Sequence, residues 1–574
     1  MTGLAPPTPL PDAAARRTAL TDLGHGLLVE AGAGSGKTAV LAGRVAWLLA
    51  GGVEPRHVAA ITFTELAAAE LASRVRDYVT SLAAGVVPAP LEPAFGAAPT
   101  VEQRRHLAAA LPALDELTST TIHGFARELT LPYPVEAGID PGATVLDAAE
   151  AELLFGDVFG AWLRRRLGGR ARDDATDPLV HLMSHPAAPG PDAVKELALL
   201  LRAHPGAAPP AADVTGAVRG ALAAAAALRG LIGDEPAAPE PLVALAAAVD
   251  AWLAPIAAAP STTEAATAAL SGEPGPLFTQ QLTVRALRSK GAWLEAVAAA
   301  GASKAAAAAG YAALQEAHGA FAAAAAALTA ASVDHLLGLL VAALREMLAE
   351  YGAAKRERAA VDFDDLIANA AALLREHEVV RAELAARYRH VLVDEFQDTD
   401  PSQAEIVWRL TGEPRPGDWR AWPARPAARF VVGDPNQSIY RFRGADPGTY
   451  AALRGGLERD PGSLTLALTE NFRSVPALLA NANLTFAAPL SASGQAGYAN
   501  LGARRPDGRG AALVRLQVGA AAEPSAAGGN GPHAAAERYM EEKRAAEARA
   551  VASLCRRLVD GATDLLDGPV SPGD

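Results

Sequence analysis

A glycine-rich turn that ends in Lys-Thr is the part of this chain whose residue types point most directly to chemistry. The turn covers residues 30–38 (EAGAGSGKT) and follows a short apolar run at 27–29. Backbone N–H groups of such a turn, with the positive end of the helix that follows, hold phosphate groups. Lys37 would reach the β- and γ-phosphates and Thr38 would bind Mg²⁺. The pattern favours a nucleoside triphosphate site over an ordinary glycine-rich turn before a helix.

Ala31 stands where the general phosphate-binding pattern has its first glycine. Its methyl group is small enough to leave the turn usable, so the prediction keeps the whole segment. The residues predicted to line the nucleotide are Ala31, Gly32, Ala33, Gly34, Ser35, Gly36, Lys37 and Thr38.

A second polar feature is a pair of adjacent carboxylates, Asp394 and Glu395, which follows the apolar run 391–393. This arrangement suits hydrolysis assisted by Mg²⁺. Asp394 would hold the water shell of the metal, with Thr38 as its partner, and Glu395 would take a proton from the attacking water. The simpler alternative is a strand that ends in a solvated acidic turn.

The elements that must position these residues are short apolar runs, each followed by a helical pattern or a polar turn. They lie at 27–29, 58–63, 391–394, 430–432 and 464–468. Strands that alternate with helices predict an α/β fold with a parallel sheet covered on both faces. Ligands bind at the carboxyl ends of such strands. The glycine-rich turn and the carboxylate pair are therefore expected at one edge of the sheet.

Residues 142–332 differ in character from the rest of the chain. The block is rich in Ala, Pro and Leu and has few strand signals. Its low complexity is compatible with disorder. Apolar residues nevertheless recur at helical spacing, as in Leu154, Val158 and Trp162, and again just past the block at Leu336 and Leu340. We therefore expect a helical insertion that interrupts the sheet domain.

Composition limits the broad class of protein. A chain of 574 residues is too long for one core, and the single cysteine excludes a disulfide framework. The net charge of −13 argues against a protein that coats nucleic acid by bulk charge, but it allows a local groove lined by aromatic residues. The N-terminus lacks a signal-peptide pattern and the alanine runs are weakly hydrophobic. We expect a soluble cytoplasmic protein without a membrane partner.

Taken in order, these motifs resemble those of the superfamily-1 DNA helicases of the UvrD/Rep type, in wording closest to the RecB/AddA branch. The resemblance covers about residues 10–150 and 355–480. Its motifs are the turn at 30–38 (motif I), ITFTELAAAEL at 61–71 (Ia), TTIHGFA at 120–126 (Ib), DEFQDT at 394–399 (II), VGDPNQSIYRFRGAD at 432–446 (III) and ENFRS at 470–474 (IV).

This resemblance implies a RecA-like P-loop domain that hydrolyses ATP with Mg²⁺ and translocates 3′→5′ along single-stranded DNA in repair or recombination. Glu395, Gln437 and Arg473 would be the catalytic residues. Gln437 would sense the γ-phosphate, and Arg473 would stabilise charge on it unless it is only a surface helix-cap cation. Phe472 would stack on the adenine.

The DNA-binding residues should include aromatic faces on which bases stack. Phe63, Tyr440 and Phe442 are the aromatic candidates, each with core packing as its alternative role, and His123 and Arg443 would contact phosphates or bases. The partner implied is single-stranded DNA or DNA ends, and a helicase–nuclease partner protein is a further candidate. The full set of predicted DNA contacts is Thr62, Phe63, Thr64, His123, Tyr440, Phe442 and Arg443.

The chain departs from the family pattern in two places. The upstream glutamine that reads adenine is missing from the segment 12–17, and neither motif V, motif VI nor a nuclease signature follows residue 474. Beyond that point we expect a strand at 513–518, a linker at 519–532 and a charged helix at 534–559. We read these as the incomplete start of a second RecA-like domain.

The expected domains are 1–141 and 333–475 for the RecA-like fold, 142–332 for the insertion and 476–574 for the second domain. Two other functions remain open at this point. One is a nucleotide-dependent DNA-binding module without efficient turnover, and the other is an unrelated P-loop ATPase that acts on protein or metabolite.

Overall fold

The chain folds into two compact units, residues 1–141 with 365–574 and residues 142–364. We call the first the sheet unit and the second the helical unit. The structure is a computed structural model, and it describes residues 10–168, 190–204, 206–233, 238–271, 275–279, 283–288, 290–439, 446–492, 498–506 and 532–559.

The strands are short, and most belong to the sheet unit. In chain order they are β1 Gly26–Ala31, β2 Val58–Thr62, β3 Thr118–Thr121, β4 Thr144–Val145, β5 Ala360–Val361, β6 His390–Val393, β7 Arg429–Gly433, β8 Ser463–Leu468, β9 Glu470–Asn471 and β10 Gly502–Ala503.

Helices make up the rest of the regular structure. In chain order they are α1 Ala13–Thr21, α2 Lys37–Ala50, α3 Glu65–Ala83, α4 Glu92–Phe95, α5 Val101–Ala110, α6 Ile122–Thr130, α7 Ala148–Leu167, α8 Gly190–Ala203, α9 Val214–Gly233, α10 Glu240–Ala258, α11 Thr262–Leu270, α12 Lys290–Ala299, α13 Lys304–Glu357, α14 Phe363–Glu376, α15 Glu378–Arg387, α16 Pro401–Thr411, α17 Pro447–Arg459, α18 Pro476–Leu490 and α19 Pro532–Val559.

Six strands form one fully parallel sheet in the order β3-β2-β6-β7-β1-β8. The predicted α/β class is confirmed, and all five predicted apolar runs are strands of this sheet. The sixth, β3, was not predicted because its sequence is polar (TSTT). Its pairing with β2, Thr62 opposite Thr121 at the carboxyl ends, places motifs Ia and Ib side by side.

One part of the core of the sheet unit lies between the sheet and the helices α1, α2, α3 and α5. Strand β1 is an interior strand of the sheet, and its apolar residues Leu27, Leu28 and Val29 are fully buried between β7 and β8. Helix α2 buries ten of its 14 residues, including Leu41. The glycine-rich turn between β1 and α2 is therefore anchored at both ends in a well-buried part of this unit.

The helical unit is organised around α13, a helix of 54 residues. One half of α13 packs Tyr311, Leu314 and Phe321 against α9, α10, α11 and α12. The other half packs Leu344 and Met347 against α7 and α8. Strands β4 and β5 pair beside its end.

Helix α13 runs without interruption through the domain boundary predicted at 332–333. Alanine-rich sequence without proline favours continuation of a helix, and the residues from 304 to 357 contain no proline. The compact unit ends instead at residue 364. The described residues of the predicted insertion are mostly helical.

Three helices of this unit, α9, α10 and α13, are long and apolar enough to cross a membrane by length and composition alone. Much of that apolar character comes from alanine. Their larger side chains, among them Leu228, Trp252 and Phe321, pack into the core that the three helices share. In the structure these apolar faces serve helix–helix packing.

The predicted elements after residue 474 are only partly described. The strand predicted at 513–518 and residues 519–531 of the predicted linker lie outside the described residues. A helix predicted at 534–559 corresponds to α19. The assignment of 476–574 to a second RecA-like domain stays a prediction.

Candidate functional site

The glycine-rich turn connects β1 to α2, and its glycines are required by the backbone. Gly34 and Gly36 have φ of +76° and +87°, a region that residues with a side chain rarely adopt. A Cβ on Gly34 would also lie 2.8 Å from the Cβ of Arg473. Ser35 is buried, and its hydroxyl donates to the Gly32 carbonyl at 2.7 Å. The turn is thus a shaped cradle with its N–H groups at the start of α2.

Lys37, the first residue of α2, is paired with the carboxylate of Glu395, which lies just after strand β6. Its Nζ lies 2.6 Å from Glu395 Oε2. Glu395 has a φ of +50°, a sparsely populated conformation for a residue with a side chain, and such strain is concentrated at functional sites. Motifs I and II, 358 residues apart, therefore meet through one charged hydrogen bond.

Asp394 follows the last residue of β6 in a nearly buried position. Burial and the negative charge of Glu395 raise its pKa to about 6, and the positive charge of Lys37 opposes that shift. The two carboxylates together carry more negative charge than Lys37 alone neutralises, which is the environment that favours a bound divalent cation. Asp394 and Thr38, a partly exposed residue at the start of α2, are the groups that fit Mg²⁺ here.

The segment that follows β8 is fastened to the glycine-rich turn by hydrogen bonds to its backbone. Asn471 donates through Nδ2 to the Ala33 carbonyl at 2.5 Å, and the Phe472 N–H donates to the Gly34 carbonyl at 2.8 Å. Asn471 Oδ1 accepts from the N–H groups of Arg473 and Ser474. Phe472, with 45% of its surface exposed, is thereby held beside the phosphate cradle with part of its ring open for stacking.

A buried ion pair at the start of α1 strengthens this junction, and sequence reasoning missed it. Arg16 forms two hydrogen bonds of 2.8 Å with Asp12 and donates to the Ser35 carbonyl at 2.9 Å. Asp12 also accepts from the N–H groups of Thr469 and Glu470 at 3.0 Å. The guanidinium of Arg16 lies 5.0 Å from the centroid of the Phe472 ring. The sequence did contain a signal for this ion pair, because an Asp and an Arg four residues apart can meet on one face of a helix.

These elements enclose a pocket of about 410 Å³ at the carboxyl edge of the sheet. It brings together the predicted residues of motifs I, II and IV with two residues of α3, Glu70 and Arg74, that were not predicted. Their spacing of four on a helix places both on one face. The lining residues are Gly34, Gly36, Lys37, Thr38, Ala39, Glu70, Arg74, Glu395, Phe472 and Arg473.

Gln437 contacts the site through intermediate residues. Its Nε2 donates to Asp434 Oδ2 at 2.6 Å. The N–H of Asp434 in turn donates to Oε1 of Gln397, whose Nε2 donates to Glu395 Oε2. Gln397 belongs to motif II but the sequence assigned it no role, because spacing alone does not show which way a side chain points.

The predicted DNA contacts divide into two groups. Phe63 and His123 follow the paired ends of β2 and β3, and Phe63 is 38% exposed. The Thr62 hydroxyl donates to the Thr64 carbonyl, and the Thr64 hydroxyl caps α3 by accepting from the Ala67 N–H. Within the structure these two threonines shape the turn that presents Phe63. The second group, Tyr440, Phe442 and Arg443, lies outside the described residues.

Motif Ib is tied to motif Ia by a side-chain contact across the same edge. The Thr121 hydroxyl donates to Glu65 Oε1 at 2.8 Å and accepts from the Gly124 N–H, which caps α6. The start of α6, where His123 lies, is thus connected to the start of α3, the helix that contributes Glu70 and Arg74 to the pocket.

Comparison with known proteins agrees with this geometry. The chain is similar to one of the subunits of the ATP-dependent helicase/nuclease of Desulfitobacterium hafniense (36% identical over 163 residues, 27% of this chain and 11% of the relative). It is also similar to the ATP-dependent DNA helicase UvrD1 of Mycobacterium tuberculosis (38% over 149 residues, 26% and 18%). A third relative is the RecB subunit of the RecBCD enzyme of Escherichia coli (34% over 155 residues, 27% and 12%).

The aligned segments span less than a fifth of each of these relatives. The family model for the UvrD/REP helicase N-terminal domain covers more of the chain. It matches residues 13–181 and 322–456, which together are more than half of the sequence. The predicted resemblance is thereby confirmed, and the chain belongs to the UvrD/Rep helicase family.

Proposed function

We propose that this chain is an ATP-hydrolysing motor that moves on single-stranded DNA in repair or recombination, with 3′→5′ polarity. The observation that carries the proposal is the contact of Lys37 with Glu395 at 2.6 Å, in a pocket that Phe472 and Arg473 also line. ATP hydrolysis requires a phosphate-binding lysine, a carboxylate that can accept a proton, a stacking face and a second cation.

Each residue has a role that follows from its position. The N–H groups at the start of α2 and Lys37 hold the phosphates, and Phe472 stacks on the base. Glu395 accepts the proton of the attacking water, and Arg473 stabilises the charge of the transferred phosphate. Asp394 and Thr38 hold Mg²⁺, which when bound neutralises phosphate charge.

DNA is proposed to cross the edge formed by the ends of β2 and β3. Phe63 offers a partly exposed aromatic face there, and bases stack on such faces without regard to sequence. His123 and the segment 440–443 would add contacts to phosphates and bases. We further propose a cytoplasmic location and, by likeness to the helicase/nuclease subunits named above, action on DNA ends beside a partner protein.

The decisive experiment measures ATP hydrolysis by the full chain with and without single-stranded DNA, beside Lys37→Ala. Loss of a phosphate-stabilising donor of this kind reduces turnover by about 10²–10³-fold. Lys195→Ala in α8, the same substitution in the helical unit, is the matched control and should leave the rate unchanged.

The outcomes separate the candidate functions. DNA-stimulated hydrolysis that disappears in Lys37→Ala supports the motor. Nucleotide binding that depends on Lys37 but gives no turnover supports the alternative, a nucleotide-dependent DNA-binding module. Hydrolysis that depends on Lys37 but ignores DNA would favour a P-loop ATPase with another substrate. Binding and turnover that are indifferent to Lys37 would contradict the assignment of the site.

A further inference from the structure

Gln397 is a buried polar residue inside motif II that the roles described so far do not use. It lies in a single helical turn, Phe396–Asp398, directly after the carboxylate pair, and only 2% of its surface is exposed. Burying a side-chain amide is unfavourable unless both its donor and its acceptor find partners. A glutamine is therefore stable at this buried position only when both its NH₂ group and its side-chain oxygen form hydrogen bonds.

Both ends of the amide are used, and they join different motifs. Nε2 donates to Glu395 Oε2 at 2.8 Å and to Asp398 Oδ2 at 3.2 Å, and Oε1 accepts from the N–H of Asp434 at 2.8 Å. The reverse orientation would place an oxygen against a carboxylate and an NH₂ group against an N–H, so the surroundings determine which way the amide points. Gln397 thus bridges the catalytic carboxylate of motif II and the backbone of motif III.

The bridge is the centre of a continuous series of contacts. Lys37 Nζ and Gln397 Nε2 bind the same oxygen of Glu395, at 2.6 and 2.8 Å. At the other end, Asp434 Oδ2 accepts from Gln437 Nε2 at 2.6 Å. The series therefore runs from the phosphate-binding lysine to the residue predicted to sense the γ-phosphate.

Close packing leaves this bridge little freedom. A Cβ at Gly433 would lie 2.8 Å from Gln397 Oε1 and 3.2 Å from the Gln397 backbone nitrogen, so a side chain there would displace the Gln397 amide. Ser438 also donates through its hydroxyl to the Gln397 carbonyl at 3.2 Å. Both ends of the segment 433–438 are consequently fastened to Gln397, and a shift of that residue must move the segment or break its hydrogen bonds.

We infer that Gln397 is a positioning residue that transmits the occupancy of the phosphate site to motif III; this rests on the proposed function. When Lys37 turns from Glu395 to a phosphate, Glu395 Oε2 loses one of its two hydrogen-bond donors. Gln397 then remains as the partner of that oxygen and follows it. Through the Asp434 N–H, the segment 433–438 follows in turn, and it leads directly to the predicted DNA contacts at 440–443.

Two substitutions of Gln397 distinguish the contributions of its amide NH₂ group and its amide oxygen. Gln397→Met has similar volume and loses all three side-chain hydrogen bonds, to Glu395, to Asp398 and from the Asp434 N–H. Gln397→Glu keeps an acceptor for the Asp434 N–H but replaces the donor to Glu395 with a like charge. Gln403→Met, a glutamine in α16 of the same unit, is the matched control. If Gln397→Met does not fold, Gln397→Glu carries the test alone.

The measurement is hydrogen–deuterium exchange of the backbone of 433–439 in the full chain, with and without ATP and Mg²⁺, together with nucleotide affinity. In the wild type, nucleotide should change the exchange rate about 5- to 150-fold, the usual range of coupling between sites. Both Gln397 variants should reduce that change to less than about twofold while binding nucleotide within about threefold of wild type. Gln403→Met should behave as the wild type does.

A second readout is the ratio of single-stranded DNA affinities with and without nucleotide, which should fall towards one in both variants. Retention of the wild-type exchange response in Gln397→Met or Gln397→Glu would overturn the inference, as would a wild-type segment that ignores bound nucleotide. If the wild type shows no Lys37-dependent nucleotide binding, the proposed function fails first and the inference falls with it. Bound nucleotide without an exchange response refutes the inference alone.

Discussion

The sheet unit and the helical unit use their polar residues differently. In the sheet unit, Lys37 and Glu395 are 358 residues apart, and Asp12 contacts residues 457 and 458 positions away. In the helical unit a fully buried carboxylate, Asp362, accepts from Tyr351 and Lys355, 11 and seven residues away, at the end of α13. The helical unit also contains ion pairs between residues far apart in sequence, such as Arg202 with Asp364, but the long-range contacts at the sheet edge are the ones that line the candidate nucleotide pocket.

This difference has a physical origin. Parallel strands bring their carboxyl ends to one edge regardless of their distance in sequence, so segments from distant parts of the chain meet there. Helices packed along α13 meet instead through apolar stripes, which gain stability from burial and need few polar partners. We therefore expect substitutions at the edge of the sheet unit to change ligand binding, and those in the helical unit to change stability.

The largest expected effect is the loss of stability from Phe321→Ala in α13. The ring is fully buried, with its centroid 6.2 Å from that of Trp252, and removing it leaves a cavity. Such changes lower the free energy of unfolding by about 3–5 kcal/mol. Urea denaturation measures this loss, while nucleotide affinity should stay within about threefold. A tenfold loss of nucleotide affinity in the folded variant would contradict the separation of the two units.

The same substitution, phenylalanine to alanine, should at the sheet edge weaken ligand binding and leave stability almost unchanged. Phe63→Ala removes a partly exposed ring, so the free energy of unfolding should change by less than about 1 kcal/mol. Single-stranded DNA affinity should fall by about 1–3 kcal/mol, because a base loses its stacking partner. Fluorescence titration with a labelled oligonucleotide tests this, and Phe321→Ala serves as the control. Unchanged DNA affinity would exclude Phe63 from the interface.

A third expected effect is a pH dependence confined to the sheet unit. Burial and the charge of Glu395 raise the pKa of Asp394 to about 6 from 3.8. The folded state therefore holds this proton more tightly than the unfolded state, and the contribution of Asp394 to the free energy of unfolding falls as pH rises from about 4 to about 6. The slope within that window approaches about 1.4 kcal/mol per pH unit.

Asp394→Asn is the control for that titration, since its amide stays neutral. Without nucleotide, the difference in unfolding free energy between Asp394→Asn and wild type should grow in favour of the variant as pH rises through this window, and level off above it. Urea titrations from pH 4 to pH 7.5 measure the difference. Parallel profiles for the two proteins would show that the carboxyl titrates at its ordinary pKa.

Much of the fold and of the candidate nucleotide site could be predicted from the sequence, because the signals are local. A strand, a glycine-rich turn and Lys-Thr occupy adjacent positions, so the cradle at 30–38 follows from residue types and spacing. The order of the motifs then identified the family, which the family model confirms. Alternation of apolar runs with helical patterns likewise predicted the parallel sheet.

Tertiary structure decided the features that local patterns do not encode. Strand β3 exists because β2 lies beside it, although its own sequence is polar. Asp12, Arg16 and Gln397 acquire their roles only when segments far apart in sequence are brought together. Periodicity reports which face of an element is buried, but the partner across that face is chosen by the packing of the whole chain.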